Sequence, residues 1–249
     1  MITVTNEGFV ATIEIDRPPN NHVSVVLIQE LAQTLEILDE DDTVRAVVLA
    51  SAGKNFCAGA DFAAPVDGQL VVGDLYAQAV RLFSTKKPII AAVQGAAIGA
   101  GLGLAVMADF RVAGTDARFS ANFVKLAFHP GFGLTHTLPR LIGSQRASLM
   151  FLTGRRIKAD EALAWGLADA VAEPENLRAE AQALAKEIAE NAPLAVQATR
   201  LTMRGALAAA VKAQTALEQK EQTWLRATED FAEGVRAVGE RRPGNFQGR

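Results

Sequence analysis

Two strings of small residues are the parts of this chain best suited to chemistry: NFCAGADF at residues 55–62 and AAIGAGLGLA at residues 96–105. What each offers is backbone N–H groups, because glycine and alanine let a ligand or another backbone come very close. A helix starting near Gly99 would add amides that lack an intrahelical partner and sit at the positive end of its dipole. Two such amides from separate turns make an oxyanion hole, which stabilises charge developing on a carbonyl oxygen by about 3–4 kcal/mol per donor. Glycine spacing alone is met more readily by two ordinary tight turns.

The second string lies in a run with no charge between Lys87 and Asp109, so two other chemistries have to be weighed. A membrane span needs roughly 20 strongly apolar residues. Here glycine, alanine and Gln94 stand where insertion demands Leu, Ile or Phe, and no aromatic belt flanks the run. A dinucleotide fingerprint needs G-x-G-x-x-G, and Gly99 and Gly101 are followed by Leu104 where the third glycine belongs. What remains is a buried strand opened by Pro88, a break at Gln94 and Gly95, and a small-residue helix from about Gly99.

The elements that must position these amides follow from composition and pattern. At 249 residues, 49% apolar and 21% charged, the chain is large enough for one sizeable core. A net charge of −3 argues against a general nucleic-acid or membrane-surface binder. One cysteine cannot form an internal disulfide, and the opening MITVTNEGFV lacks a secretory signal pattern, so the cytoplasm is the expected compartment. Cys57, with no histidine nearby in sequence, reads as a buried filler. ITVTNEG and FVATIEID read as strands and Val25 to Leu38 as a helix. VRAVVLAS, IIAAV and FRVAG then read as buried strands, each followed by a small-residue turn: GKNFCAGADF, QGAAIGAG and TDARFS. Such units imply an α/β chain whose turns gather at one end of a parallel or mixed sheet, where α/β proteins place ligands. Beyond about Gly143 the pattern is helical: SQRASLMFLTG, KADEALAWGLAD, PENLRAEAQALAKEIAEN, PLAVQATRLTMRGAL, and one long segment from Ala210 to about Val238.

Six motifs in order, GKNFCAGADF, KKPIIAAVQGAAIGAGLGLAVMADFRVAG, ARFS, HPGFGLTHTLPRLIG, LTGRRIKADEALAWGLAD and FAEGVRAVGERRPGNF, resemble the crotonase, or enoyl-CoA hydratase/isomerase, superfamily over nearly the whole chain. The resemblance implies a spiral of ββα repeats as core (residues 1–195) and a helical C-terminal region (196–249) that builds a homotrimer or hexamer. It implies an acyl-CoA ligand, with coenzyme A entering as part of the substrate, no permanently bound cofactor and no metal. Neither a nucleic acid nor a membrane is expected as partner. Carried over by motif, the amides of Ala60 and Ala100 form the oxyanion hole. Ala58 lies near the adenine, the turn of Pro19 and Asn20 lines the nucleotide, and Arg241 approaches a phosphate, in its own or a neighbouring subunit, with the planar fork that suits phosphate oxygens.

The pattern also departs from that family. Hydratases of this type place one glutamate three residues after the second oxyanion position and another four residues after the Phe of ARF; this chain has Gly103 and Phe123 there, both expected to border the acyl pocket. A third position, aspartate in some relatives, is Gly131. None of the three can move a proton. The remaining titratable candidates are His129, His136, His22, Asp61, Asp67, Asp74 and Tyr76, with His129 foremost because its loop follows the segment that normally carries the second acid. Asp61 reads as a helix cap, and the segment from Pro65 to Gly73 as a lid. Three functions follow: a crotonase-type enzyme on acyl-CoA or enoyl-CoA, an acyl-CoA-binding protein that has lost its bases, and, from α/β character and glycines alone, a nicotinamide-dependent oxidoreductase.

Overall fold

The computed structural model describes residues 1–60 and 72–249. Asp61, Asp67 and nearly all of the segment read as a lid lie outside the described residues.

The chain opens with an antiparallel hairpin, β1 (Ile2–Glu7) and β2 (Val10–Ile15), turned at Gly8. Helix α1 (Val25–Asp39) starts at Ser24, whose hydroxyl accepts from the Leu27 amide and so satisfies one of the helix's free donors. Its Leu27, Leu31, Leu35 and Leu38 fall on one buried stripe. There follow β3 (Ala46–Ser51), α2 (Val72–Leu82), β4 (Ile89–Val93), β5 (Ala96–Ile98), α3 (Ala100–Met107), β6 (Phe110–Gly114) and β7 (Arg118–Ser120). A short 3-10 turn (Asn122–Leu126) leads to α4 (Leu134–Ile142), α5 (Ser144–Thr153), β8 (Arg156–Lys158), α6 (Ala159–Trp165) and β9 (Ala170–Ala172). Four helices end the chain: α7 (Leu177–Ala189), α8 (Pro193–Arg204), α9 (Leu207–Leu225) and α10 (Glu229–Gly239).

Beyond the opening hairpin the strands form a spiral of ββα repeats, in which the first strand goes to one sheet and the second to another. First strands lie in a six-stranded sheet of order β1-β2-β3-β4-β6-β9, parallel beyond the opening hairpin. Second strands stack separately: Cys57 bridges Ala97, β5 pairs with β7, and β7 pairs with β8. Strands β3 and β4 are buried on both faces. Val47, Leu49, Ile89, Ala91 and Val93 enter the main core, while Ala46, Val48, Ala50, Ile90 and Ala92 face α7, whose Ala181, Ala185 and Ala189 allow close approach. That double burial is why these strands read as continuous apolar runs.

Two details differ from the sequence expectation. QGAAIGAG and TDARFS, read as turns, each contain a three-residue strand, too short to show an alternating pattern of its own. The long C-terminal segment is two helices, because the Thr228 hydroxyl accepts from the Phe231 amide and starts α10 afresh. The boundary at residue 195 falls inside α8, which begins at Pro193. This helix is tied to the core through Asp109, which accepts from Arg200 at 2.9 Å and from Arg204 at 2.5 Å. Among the described residues no helix is long and apolar enough to cross a membrane.

Candidate active site

The two donor strings lie side by side. The Phe56 amide donates to Gln94 O at 2.9 Å, Cys57 N to Ala96 O at 2.8 Å, and Ile98 N back to Cys57 O at 3.0 Å. On its other edge the first string is held by the chain before α1: Ala58 N donates to Asn20 O at 3.0 Å and Val23 N to Gly59 O at 2.9 Å. Glycine is required twice in this contact. A Cβ at Gly101 would lie 2.1 Å from Cys57 O, and one at Gly59 would lie 2.8 Å from Ile98 O and 4.0 Å from Ala100 N. Gly59 and Gly99 also have φ of +91° and +56°, which side chains with a Cβ rarely adopt.

Among the described residues, no backbone acceptor is bonded to the amide of Ala60 or of Ala100. Ala100 is the first residue of α3, one of the positions whose N–H has no intrahelical partner. Both alanines line one cavity of about 560 Å³, together with Ala58, His22, Asn122, Phe123 and a wall of apolar side chains. No carboxylate lines it among the described residues. Phe123, at a position where the resemblance implies an acid, places its ring 3.7 Å from where a Gly99 Cβ would stand.

Gly103 lies outside the lining of this cavity. It was expected to border the acyl pocket, but the ring of Phe132 lies directly on it. At Gly131, a Cβ would meet the Tyr76 hydroxyl at 1.7 Å and Gln222 Nε2 at 2.6 Å. Tyr76 itself, 6% exposed, donates to Gln222 Oε1 at 2.9 Å, and Gln222 Nε2 donates to the His129 carbonyl at 2.8 Å. Burial, and then the nearby Glu218 charge, hold the Tyr76 hydroxyl well above its ordinary pKa, so it stays protonated. Glu218 is fully buried and accepts from the amides of Gly133 (2.8 Å) and Thr135 (3.0 Å) and from the Thr135 hydroxyl (2.5 Å). Its own pKa is raised by burial against those bonds.

Of the titratable candidates, Tyr76 and His22 line the cavity; His129, His136 and Asp74 do not. His129 instead turns Nδ1 to the Pro130 carbonyl oxygen at 2.7 Å. His22 turns Nδ1 to the Gly59 carbonyl oxygen at 3.2 Å, beside the first donor string. Pro19, Asn20 and Arg241 lie outside the cavity lining, with Pro19 and Arg241 exposed. Sequence reasoning missed Gln222, Arg226 and Phe231, which close the cavity from the C-terminal helices. A signal was present: Thr215, Glu218 and Gln222 continue a stripe from Val211 at helical spacing, so polar residues occupy places where an apolar face belongs.

The family model for enoyl-CoA hydratase/isomerase matches residues 5–249. The chain is 34% identical to the short-chain-enoyl-CoA hydratase of Clostridium acetobutylicum, over 97% of this chain and 95% of that protein. It is 36% identical to the 2,3-dehydroadipyl-CoA hydratase of Escherichia coli, over 100% and 99%. Among solved structures, the carnitinyl-CoA hydratase of Mycobacterium avium superposes with a TM-score of 0.91 at 34% identity, covering 100% of this chain and 98% of that one.

Proposed function

The chain belongs to the enoyl-CoA hydratase/isomerase family, and on that footing we propose that it takes an acyl-CoA or enoyl-CoA thioester whose carbonyl oxygen is received by the amides of Ala60 and Ala100. The observation that carries this reading is the pair of amides, without backbone acceptors among the described residues, lining one largely apolar cavity. In such a setting two fixed donors favour the thioester enolate over the ground state, because charge on the oxygen grows while the donors need no reorganisation. The coenzyme enters as part of the substrate. Its nucleotide end is proposed to follow Ala58 and the turn of Pro19 and Asn20. Arg241 meets a phosphate, within this subunit or across a homotrimer or hexamer. Exposed Leu194, Leu201 and Met203 on α8 support such an assembly. The cytoplasm is the proposed compartment.

Hydration by two glutamates is not the chemistry proposed. Phe123 offers an apolar wall, and Phe132 closes over Gly103. Proton transfer is assigned to the His22 imidazole, which lines the cavity as His129 does not; the Tyr76 hydroxyl, kept protonated and bonded to Gln222 Oε1, belongs to the wall. The same two rings favour a second reading, a non-catalytic acyl-CoA-binding protein. Calorimetric titration and turnover assays over a panel of acyl-CoA and enoyl-CoA thioesters separate them. Binding with turnover of at least one member supports the enzyme, and binding without any turnover supports the binding protein. Absence of all binding overturns both.

A further inference from the structure

Arg226 is out of character with the rest of the cavity it lines. It follows Gln222 by one helical turn at the end of α9, and its guanidinium lies 6.0 Å from the ring centroid of Phe128 and 5.8 Å from that of Phe231. Arg226 is half-buried; the two arginines that are buried among the described residues, Arg111 and Arg200, have the counter-ions Asp169 and Asp109. Among the described residues no carboxylate pairs with Arg226, and none lines the cavity. A cation held against aromatic rings over apolar walls, with no protein anion to neutralise it, is a site for an anion brought by the ligand.

Its position says which end of the ligand that is. The proposed nucleotide path runs by Asn20, His22 and Ala58, on the edge of the first donor string where Asn20 O and Gly59 O hold the chain. Arg226 lies instead with Phe128 and Phe231, one helical turn beyond the Gln222 that Tyr76 bonds at 2.9 Å over Gly131. On the thioester reading, with the nucleotide taken by the first group of residues, the acyl chain is left to extend toward the second.

We infer that the acyl group ends in a carboxylate, so that the ligand is a dicarboxylic acid joined to coenzyme A at one end and held through its free end by Arg226. This rests on the thioester reading of the site. The planar fork of arginine matches a carboxylate with two parallel hydrogen bonds. A plain methyl end would bring apolar surface against the half-buried guanidinium and give it no hydrogen bond in return.

The experiment compares two matched series by calorimetry, straight-chain acyl-CoAs from butanoyl to octanoyl and the ω-carboxyacyl-CoAs of equal backbone, on the full-length protein. The wild type is expected to prefer the carboxylated series by at least about tenfold at one or more lengths. Arg226→Met is expected to abolish that preference and Arg226→Lys to keep part of it. Equal affinity of the wild type for both series overturns the inference while leaving the thioester reading intact. So does an Arg226→Met variant that weakens both series, and coenzyme A itself, by one common factor, which would assign Arg226 to a coenzyme phosphate. Binding of neither series removes the thioester reading and this inference with it.

Discussion

The ring of Phe132 rests on the α-carbon of Gly103, so closely that a Cβ added there would lie 2.6 Å from Phe132 Cδ1. Phe132 is 1% exposed and held at a φ of +62°, an unusual conformation for a residue with a large side chain. The space in which the family resemblance places an acid is therefore occupied by a ring that the surrounding fold keeps in place. Gly103→Ala should lose about 1–3 kcal/mol in chemical denaturation, the cost of overpacking a filled core. Adding Phe132→Ala to that variant should make the Gly103→Ala step nearly neutral. Full stability of the single variant would show that the ring yields freely.

Two neighbouring positions separate the donor from the scaffold. Ala100 is the first residue of α3, where proline is tolerated because its missing N–H has no helical partner to lose. Ala100→Pro should leave the melting temperature nearly unchanged and lower kcat on any thioester that turns over by about 100–1,000-fold. Gly101→Ala should instead lower the melting temperature, because its Cβ would meet Cys57 O at 2.1 Å and force the donor strings apart. An Ala100→Pro variant with unchanged kcat would remove that amide from the mechanism.

Tyr76 is the only tyrosine of the chain, so tyrosinate ultraviolet absorbance reports on it alone. Its pKa is raised above the ordinary value of 10.0, mainly by burial. The folded state thus binds this proton more tightly than the unfolded chain does. The stability this contributes is fully present below pH 10 and is lost as pH rises from there through the folded pKa. The folded protein should show no tyrosinate signal at pH 10, whereas a urea-unfolded sample should be about half ionised there. Tyr76→Phe should cost about 1–3 kcal/mol at neutral pH, because Gln222 Oε1 is left buried without its donor.

Cys57 is fully buried in the first donor string, and burial pushes its thiol pKa up to about 12. A thiol reagent at pH 8 should therefore react with the single cysteine only as fast as the protein opens, and at once after unfolding in urea. Rapid stoichiometric reaction of the native protein would place the first donor string in a looser environment than its bonds to Ala96 and Ile98 describe.

Much of the core was legible because its signals are local. The apolar runs of β3, β4 and β6, the stripe of α1 and the glycines of both donor strings are each contained in a window of a dozen residues. The strands β5 and β7 were not legible, since three residues show no period and their partners lie about twenty residues away or more. The break at Thr228 was written in the sequence, as Thr228 followed by Glu229 and Asp230, yet the alanine and charge pattern around it continues across the gap.

By itself the sequence determined the buried strands, the two strings of small residues and the absence of an acid at positions 103, 123 and 131, because each depends on residue type at a given place. Only the tertiary structure decided what fills those places and closes the cavity. Phe132 reaches Gly103 across a helix and two strands, Gln222 meets Tyr76 across 146 residues, and Arg226 comes to Phe128 from the end of α9. Such meetings leave no trace in a local pattern, since they are set by how packed helices are brought round against a sheet, and burial then gives the Tyr76 hydroxyl and the Gln222 amide energies they would not have in water.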